Sequence, residues 1–429
     1  MHIGFVSTRF EGTDGVSLET TKWRVILERL GHTSYFCAGA LDEDHLPGMR
    51  VPEMHFQHPE IHRLHDEAFH SAALPPDFYS RLHALADRIY AALLRFIDAF
   101  RIDLLIPENA LTIPMNLPLG LALRRLIAET RLPTLAHHHD FYWERARFQH
   151  HNIGDILDAA FPPPLPEIRH IVINRAAQRS LKARRGLKST VIPNVFDFNQ
   201  AAQGIGQHNR ALRADLGLSE DHLLILQPTR VVARKGIEHA LVLVRELRRR
   251  KRQLLGKEPV LVISHHAGDE GMEYLHTLQT LARRWRVPFY YTPHHFHPHP
   301  DRRNGHKYSL WDAYVHADFV TYPSRYEGFG NALLEAIYFR LPVMVNRYTV
   351  YQEDIAPLGF DMVEIDGVVD EATVEAVVTV LRDPVRRRRM VEHNYQLARE
   401  HFSYEAVLPV FEKLLTSPFA PSRGCKQMS

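Results

Sequence analysis

Two glutamates, Glu327 and Glu335, flank a glycine turn in the segment Tyr322–Val345, YPSRYEGFGNALLEAIYFRLPVMV. The pattern predicts that Glu327 sits in a loop and Glu335 on the second turn of the helix that follows. The amides of Phe329, Gly330 and Asn331 then lie at the positive end of that helix, where unpaired amides can hold a diphosphate. A carboxylate accepts hydrogen bonds from paired hydroxyls, so one glutamate could grip the ribose of a nucleotide and the other a sugar carried on its diphosphate. The chemistry implied is that of a nucleotide-sugar site. Taken alone, E-x7-E is no more than a helix with two surface glutamates. The flanking PS, EGFG and LEA elements agree with the charges in turn chemistry and helix start, and they tip the reading toward a site.

A second cluster, PTRVVARKGIEHA, places Arg230 at the end of a strand and Lys235 just before a helix starting at Gly236. Both cations can reach one diphosphate. When a bond from sugar to phosphate breaks, negative charge grows on the leaving oxygen, and fixed cations stabilise it more in the transition state than before. Such a pair takes the place of a metal, and none is expected. A third, PTLAHHHDFYWER, ends a strand in His137, His138, His139 and Asp140. Adjacent strand residues point to opposite faces, so the three imidazoles cannot all converge on one ion. Phe141, Tyr142 and Trp143 suit either an acceptor subsite or the core. Near the N-terminus, Gly15 in EGTDGVSLETTKWRVILERLGH could let backbone approach a phosphate. Without G-x-G-x-x-G, a nicotinamide or flavin site is not expected.

These residues resemble the retaining family 4 glycosyltransferases. The wider pattern around Glu327 and Glu335 resembles that family's E-x7-E element, and Arg230, Lys235 and Gly236 match its R-x4-K-G. The resemblance implies a GT-B fold, two Rossmann-like domains facing across a cleft, and retention of the sugar's anomeric configuration. It also implies a histidine facing the donor sugar from the first domain. That role falls on His139, because Asp140 follows it, with His137 as rival. Asn194 and Pro193 match the family's PN-x-x-D junction. Two departures touch the acceptor side: Arg340 stands where a glycine is usual, and NRYTVYQED replaces a glycine-rich turn. Asp14 precedes Gly15 where a Gly-Gly pair is usual.

The elements that must position these residues follow from the patterning. Short apolar runs (HIGFVS, DLLIPE, PTLAHH, IRHIVINR, STVIPN) alternate with amphipathic stretches, and the alternation restarts at LLILQPTR, which argues for two α/β domains with parallel sheets. The expected division is 1–195 on the acceptor side and 196–400 for the nucleotide sugar. Residues 401–429 then form a helix returning to the first domain, followed by a tail. Ligands in such sheets bind at the carboxyl ends of strands. The histidine-rich stretches His55–Arg101 and Pro293–His306 read as inserted helices and a polar loop. Metal binding by the latter is the less favoured reading, because prolines fragment it.

The 429 residues are 45% apolar and 24% charged, the balance of a globular protein, and the formal charge of +2 gives no strong field for nucleic acid or anionic membrane. RELRRRKR and Arg386–Arg389 read as solvated faces. Cys37 and Cys425 form neither a disulfide framework nor a zinc pattern. With no signal-peptide pattern and no spanning run, a cytoplasmic enzyme is expected. The donor implied is a nucleoside diphosphate hexose, GDP-mannose or UDP-glucose, with no cofactor and no stable membrane insertion, and nothing specifies an oligomeric state. YSLWDAYVHADFVTYPS with PVMVNRY is similar to enzymes that build glycosylglycerate-type compatible solutes, which makes mannosylglucosylglycerate synthesis a candidate. The competing readings are a non-catalytic nucleotide-sugar-binding regulatory homologue and a glycan phosphorylase, which would need a pyridoxal lysine site and a longer chain.

Overall fold

The computed structural model describes residues 1–11, 15–42, 45–268, 270–297 and 308–419. Asp14, Cys425 and residues 298–306 of the histidine-rich stretch lie outside them. The chain divides into two units, Met1–Pro193 together with the chain from Val407 on, and Asn194–Ala406.

In the first unit seven strands form one parallel sheet: β1 His2–Val6, β2 Thr33–Ala38, β3 Gly48–Arg50, β4 Leu104–Pro107, β5 Thr134–His138, β6 Ile168–Val172 and β7 Ser189–Val191. Their order is β3-β2-β1-β4-β5-β6-β7, with Ile3 opposite both Ser34 and Leu104. Strands β4 and β5 are buried throughout, which is why they read as continuous runs rather than alternating ones. Four helices matter for the site or the core: α1 Gly15–Arg29, α2 Pro59–His70, α3 Phe78–Phe100 and α4 Leu117–Thr130. Helix α3 carries Leu85, Ile89, Leu93 and Phe96 at helical spacing, all buried, and the last three join Leu105, Leu123 and Ala136 in the core. The start of α4 is fixed by Asn116, whose side chain accepts from the Leu119 amide at 2.9 Å. Pro75 falls in the break between α2 and α3.

The second unit repeats the plan with β8 His222–Gln227, β9 Glu258–Ile263, β10 Phe289–Tyr291, β11 Phe319–Tyr322, β12 Val343–Asn346 and β13 Val363–Ile365. All pairings are parallel, in the order β10-β9-β8-β11-β12-β13. Helix α5, Ile237–Arg249, lays Leu241, Val244 and Leu247 on Ile225, Leu261 and Ile263. Helix α6 spans Asn331–Tyr338 and α7 spans Tyr404–Thr416. Phe411 of α7 meets Trp23 of α1 edge-on at 4.7 Å, and Arg169 of β6 donates to the Ser417 carbonyl at 2.9 Å. These contacts tie the end of the described chain to the first unit. Among the described residues no helix is long and apolar enough to cross a membrane.

Candidate active site

In the second unit the proposed ligand groups stand after the carboxyl ends of neighbouring strands. β8 ends at Gln227, so Arg230 lies in the loop beyond the strand rather than on its last residue, with its side chain exposed. The turn Ala233–Lys235 leads into α5 through Gly236, whose φ is +60°. A Cβ there would stand 2.5 Å from the Pro323 carbonyl oxygen, so only glycine lets this turn close on the loop after β11. The Arg325 amide donates to the Arg234 carbonyl at 2.8 Å across that contact.

The result is a buried ion pair: the Lys235 ammonium donates to Glu327 Oε1, and Arg234 Nη1 lies 3.4 Å from Oε2. Burial opposes both charges. In Glu327 burial pushes the carboxyl up, but the Lys235 ammonium, Ser324 and Arg234 together outweigh it and hold the carboxyl below its usual range. In Lys235 burial prevails and pushes the ammonium down from its ordinary value. After β9 stands His265, held down to about 4 by burial and by the charges of Lys235 and Arg230. It is a neutral ring at neutral pH, able to hydrogen-bond a ligand without adding charge.

Glu335 occupies the second turn of α6 and accepts from Tyr314 Oη at 2.6 Å. Burial and the charge of Glu335 raise the Tyr314 phenol well above its ordinary value, so it stays a donor. Gly330, the residue before α6, has φ +135°, a conformation open to glycine alone, and a Cβ there would come within 2.8 Å of Tyr348 Oη. Tyr348 Oη in turn donates to the Phe329 carbonyl at 2.7 Å. Asn194 Nδ2 donates to Asn331 Oδ1 at 2.8 Å, so the junction residue bears on the helix start. Tyr314, Tyr348, Arg234 and His265 were not legible as site residues. Tyr314 lies in a helical stretch that reads as core, and Tyr348 lies in the turn segment NRYTVYQED, where nothing in the sequence marks its hydroxyl as the partner of the Phe329 carbonyl.

In the first unit the alternation of β5 sorts the histidines by face. His138 turns to His170, Nε2 to Nδ1 at 2.9 Å. His137 and His139 both meet Glu108 Oε2, through Nδ1 at 2.9 Å and Nε2 at 3.1 Å. Glu108 follows β4, and the His137 ring stacks on Trp23 at 3.9 Å. The three groups lie within 4.8 Å of one another, and here they are joined by hydrogen bonds. His137 and His138 are wholly buried, whereas the His139 side chain keeps 11% exposure. Glu108 was missed in sequence; its signal was an acid at the end of a buried strand, in the same layer as the histidines.

Gly15 is the first residue of α1, and a Cβ there would meet nothing within 4 Å. Phe141 is buried and stacks on Trp143 at 4.5 Å, which decides for core packing. Arg340 adopts φ +52° after α6, the left-handed turn that a glycine would take more cheaply. Its guanidinium covers the Tyr395 ring at 3.6 Å, and Nε lies 3.0 Å from Glu392. This departure is thus a helix-ending turn with its own packing.

Residues 208–397 match the family described as glycosyl transferases group 1. The chain is 35% identical over 383 residues to the mannosylglucosylglycerate synthase of Petrotoga mobilis, covering 85% of this chain and 86% of the relative. It is 32% identical over 444 aligned positions to the enzyme of the same name from Thermotoga maritima, covering 96% and 99%. Among solved structures, HepE of Anabaena in complex with UDP and glucose superposes with a TM-score of 0.66 at 14% identity, over 97% of this chain and 100% of that one. A Rickettsia africae glycosyltransferase gives 0.67 at 13%, over 97% and 99%. At that identity the likeness establishes the fold, GT-B.

Proposed function

The chain belongs to the group 1 glycosyltransferases, and from that membership we propose that it transfers a hexose, with retention, from a nucleoside diphosphate sugar to a glycosylglycerate-type acceptor. The relatives' name, mannosylglucosylglycerate synthase, favours GDP-mannose as donor over UDP-glucose, and a glucosylglycerate hydroxyl as acceptor. The reading places the enzyme with its donor in the cytoplasm.

The observation that carries the proposal is the pairing of Lys235 with Glu327 beside Arg234, in the unit that also holds Arg230 and Glu335. An arriving diphosphate competes for the ammonium. As Lys235 turns to phosphate, Glu327 is released to accept sugar hydroxyls, while Glu335, held by Tyr314, accepts the ribose hydroxyls. Phe329, Gly330 and Asn331 present amides to the phosphate from the start of α6, and Gly15 leaves room for it in the first unit. His139 donates to a sugar hydroxyl and orients the reacting carbon.

In the step itself the acceptor oxygen bonds the anomeric carbon on the face from which the phosphate departs. The proton of the acceptor hydroxyl passes to the leaving phosphate oxygen. Arg230 and Lys235 stabilise the charge that grows there, so the step needs no metal. Incubation with a panel of nucleotide sugars and small acceptors, followed by nucleotide release and NMR of the product, tests the reading. It expects GDP release dependent on glucosylglycerate and an axial-type mannoside of unchanged configuration. Release with no panel member, or an inverted product, overturns it.

A further inference from the structure

We propose that Glu108 is a positioning residue that keeps His139 an imidazolium, fastened through Nε2 with Nδ1–H turned toward the ligand. The inference rests on the reading of His139 as the sugar-facing ring. Its geometry is specific. Glu108 is wholly buried and has two imidazole donors on one oxygen, His137 at 2.9 Å and His139 at 3.1 Å. A carboxylate in such surroundings needs a positive charge beside it.

The two rings are not equal candidates to supply that charge. His137 is sealed under Trp23, at 3.9 Å and nearly parallel, whereas His139 reaches the surface. The charged form therefore costs less at His139. Burial, the largest single influence, opposes a proton on His139, but Glu108 after β4, Glu19 on α1 and the adjacent Asp140 together outweigh it, and the net direction is upward. His137 goes the other way, lowered first by burial, with His139 among the opposing charges. Glu108 is held below its usual range despite burial, chiefly by His137 and His139. Asp140 is itself paired with Arg145, which leaves Glu108 as the direct partner of the ring.

The backbone fixes the same orientation, since the His139 amide donates to Asn109 Oδ1 at 3.0 Å. With Nε2 committed to Glu108, Nδ1 is the nitrogen left to meet a ligand. An imidazolium there is a stronger donor to a sugar oxygen than a neutral ring, and it sets a limit on activity at alkaline pH.

Histidine-labelled full-length protein, titrated by NMR, tests this, with the His139 signal identified by its loss in His139→Asn. Wild-type His139 is expected to titrate above the ordinary histidine value of about 6.5, and Glu108→Gln to lower its midpoint by about one pH unit or more. The alkaline limb of kcat/KM should move with it, so that at the wild-type midpoint the Glu108→Gln variant stands about ten-fold below its own acid plateau where wild type stands about two-fold below, an added loss of about five-fold. A wild-type midpoint at or below 6.5 overturns the inference even if the variant does not fold. So does an unchanged midpoint in a folded Glu108→Gln protein, or an alkaline limb that stays in place while the midpoint moves. The titration needs no substrate, so its failure leaves the glycosyltransferase reading standing. Absence of transfer by the wild type would sink that reading without touching the ring's charge.

Discussion

Lys235 and Glu327 neutralise one another inside the second unit, at 7% and 8% residual exposure, in the site where a diphosphate is proposed to bind. Removing one member leaves a buried charge without its partner, which costs about 3–5 kcal/mol, whereas replacing both with apolar residues is close to neutral. Lys235→Ala is therefore expected to lower the urea midpoint and to cut transfer by about 10²-fold or more. Lys235→Met combined with Glu327→Leu should recover most of the stability and none of the transfer. Urea unfolding and nucleotide release measure the two effects. A double variant as unstable as the single one would count against the ion pair as the cause.

The conformation of Gly330 offers a second test. At φ +135°, with Tyr348 Oη in the space of a Cβ, alanine is strained and also displaces the hydroxyl that holds the Phe329 carbonyl. Gly330→Ala should cost about 1–3 kcal/mol of stability and raise KM for the donor. Tyr348→Phe, which removes the hydroxyl but relieves the clash, should restore part of the stability when combined with it. Additive losses in the pair would show that the two residues do not interact.

Gly15 makes the opposite case. Its Cβ position is open and it starts a helix, so Gly15→Ala is expected to leave the fold intact or add about 0.4–1 kcal/mol. If the glycine is there for a phosphate, KM for the nucleotide sugar rises while Tm does not fall. An alanine variant with wild-type KM would mark Gly15 as a simple helix start.

Acid should weaken the first unit through His138 and His170. Both rings are buried; burial, with Arg185 adding to it, holds His170 down to about 4, and burial lowers His138 in the same direction. Between about 4 and the unfolded value of about 6.5, the native His170 ring is neutral and the unfolded one is charged. The unfolded chain then binds more protons, and stability falls as pH drops through that window, by up to about 3 kcal/mol from His170. Urea midpoints between pH 7 and pH 4.5 measure it, and His170→Gln should flatten the slope. An unchanged slope would place the acid sensitivity elsewhere.

What the sequence disclosed and what it hid divide along physical lines. Strand and helix alternation, the E-x7-E helix and the Arg-Lys turn were readable because each is local: the helix start, the glycine turn and the charges fall within a few residues. Sorting His137, His138 and His139 by face needed the neighbouring strands, because only Glu108, just after β4, and His170 of β6 distinguish the faces. Tyr314 and Tyr348 escaped for the same reason. Each acts through a hydroxyl on a residue 21 or 19 positions away in sequence, a contact that no local pattern announces. At Arg340 the departure from glycine was legible, but the left-handed turn held by Tyr395 and Glu392 was not, because both partners lie far along the chain.

The central claim is that fixed cations of the second unit, and no metal, hold the pyrophosphate of the donor. Calorimetric titration of GDP and of UDP, in EDTA, into wild type and into the folded Lys235→Met/Glu327→Leu variant tests it most directly. The expected result is saturable binding of one nucleotide by the wild type, weakened at least ten-fold, about 1.4 kcal/mol, in the variant. Equal affinity in both proteins, or binding that vanishes from the wild type with chelator, would contradict it.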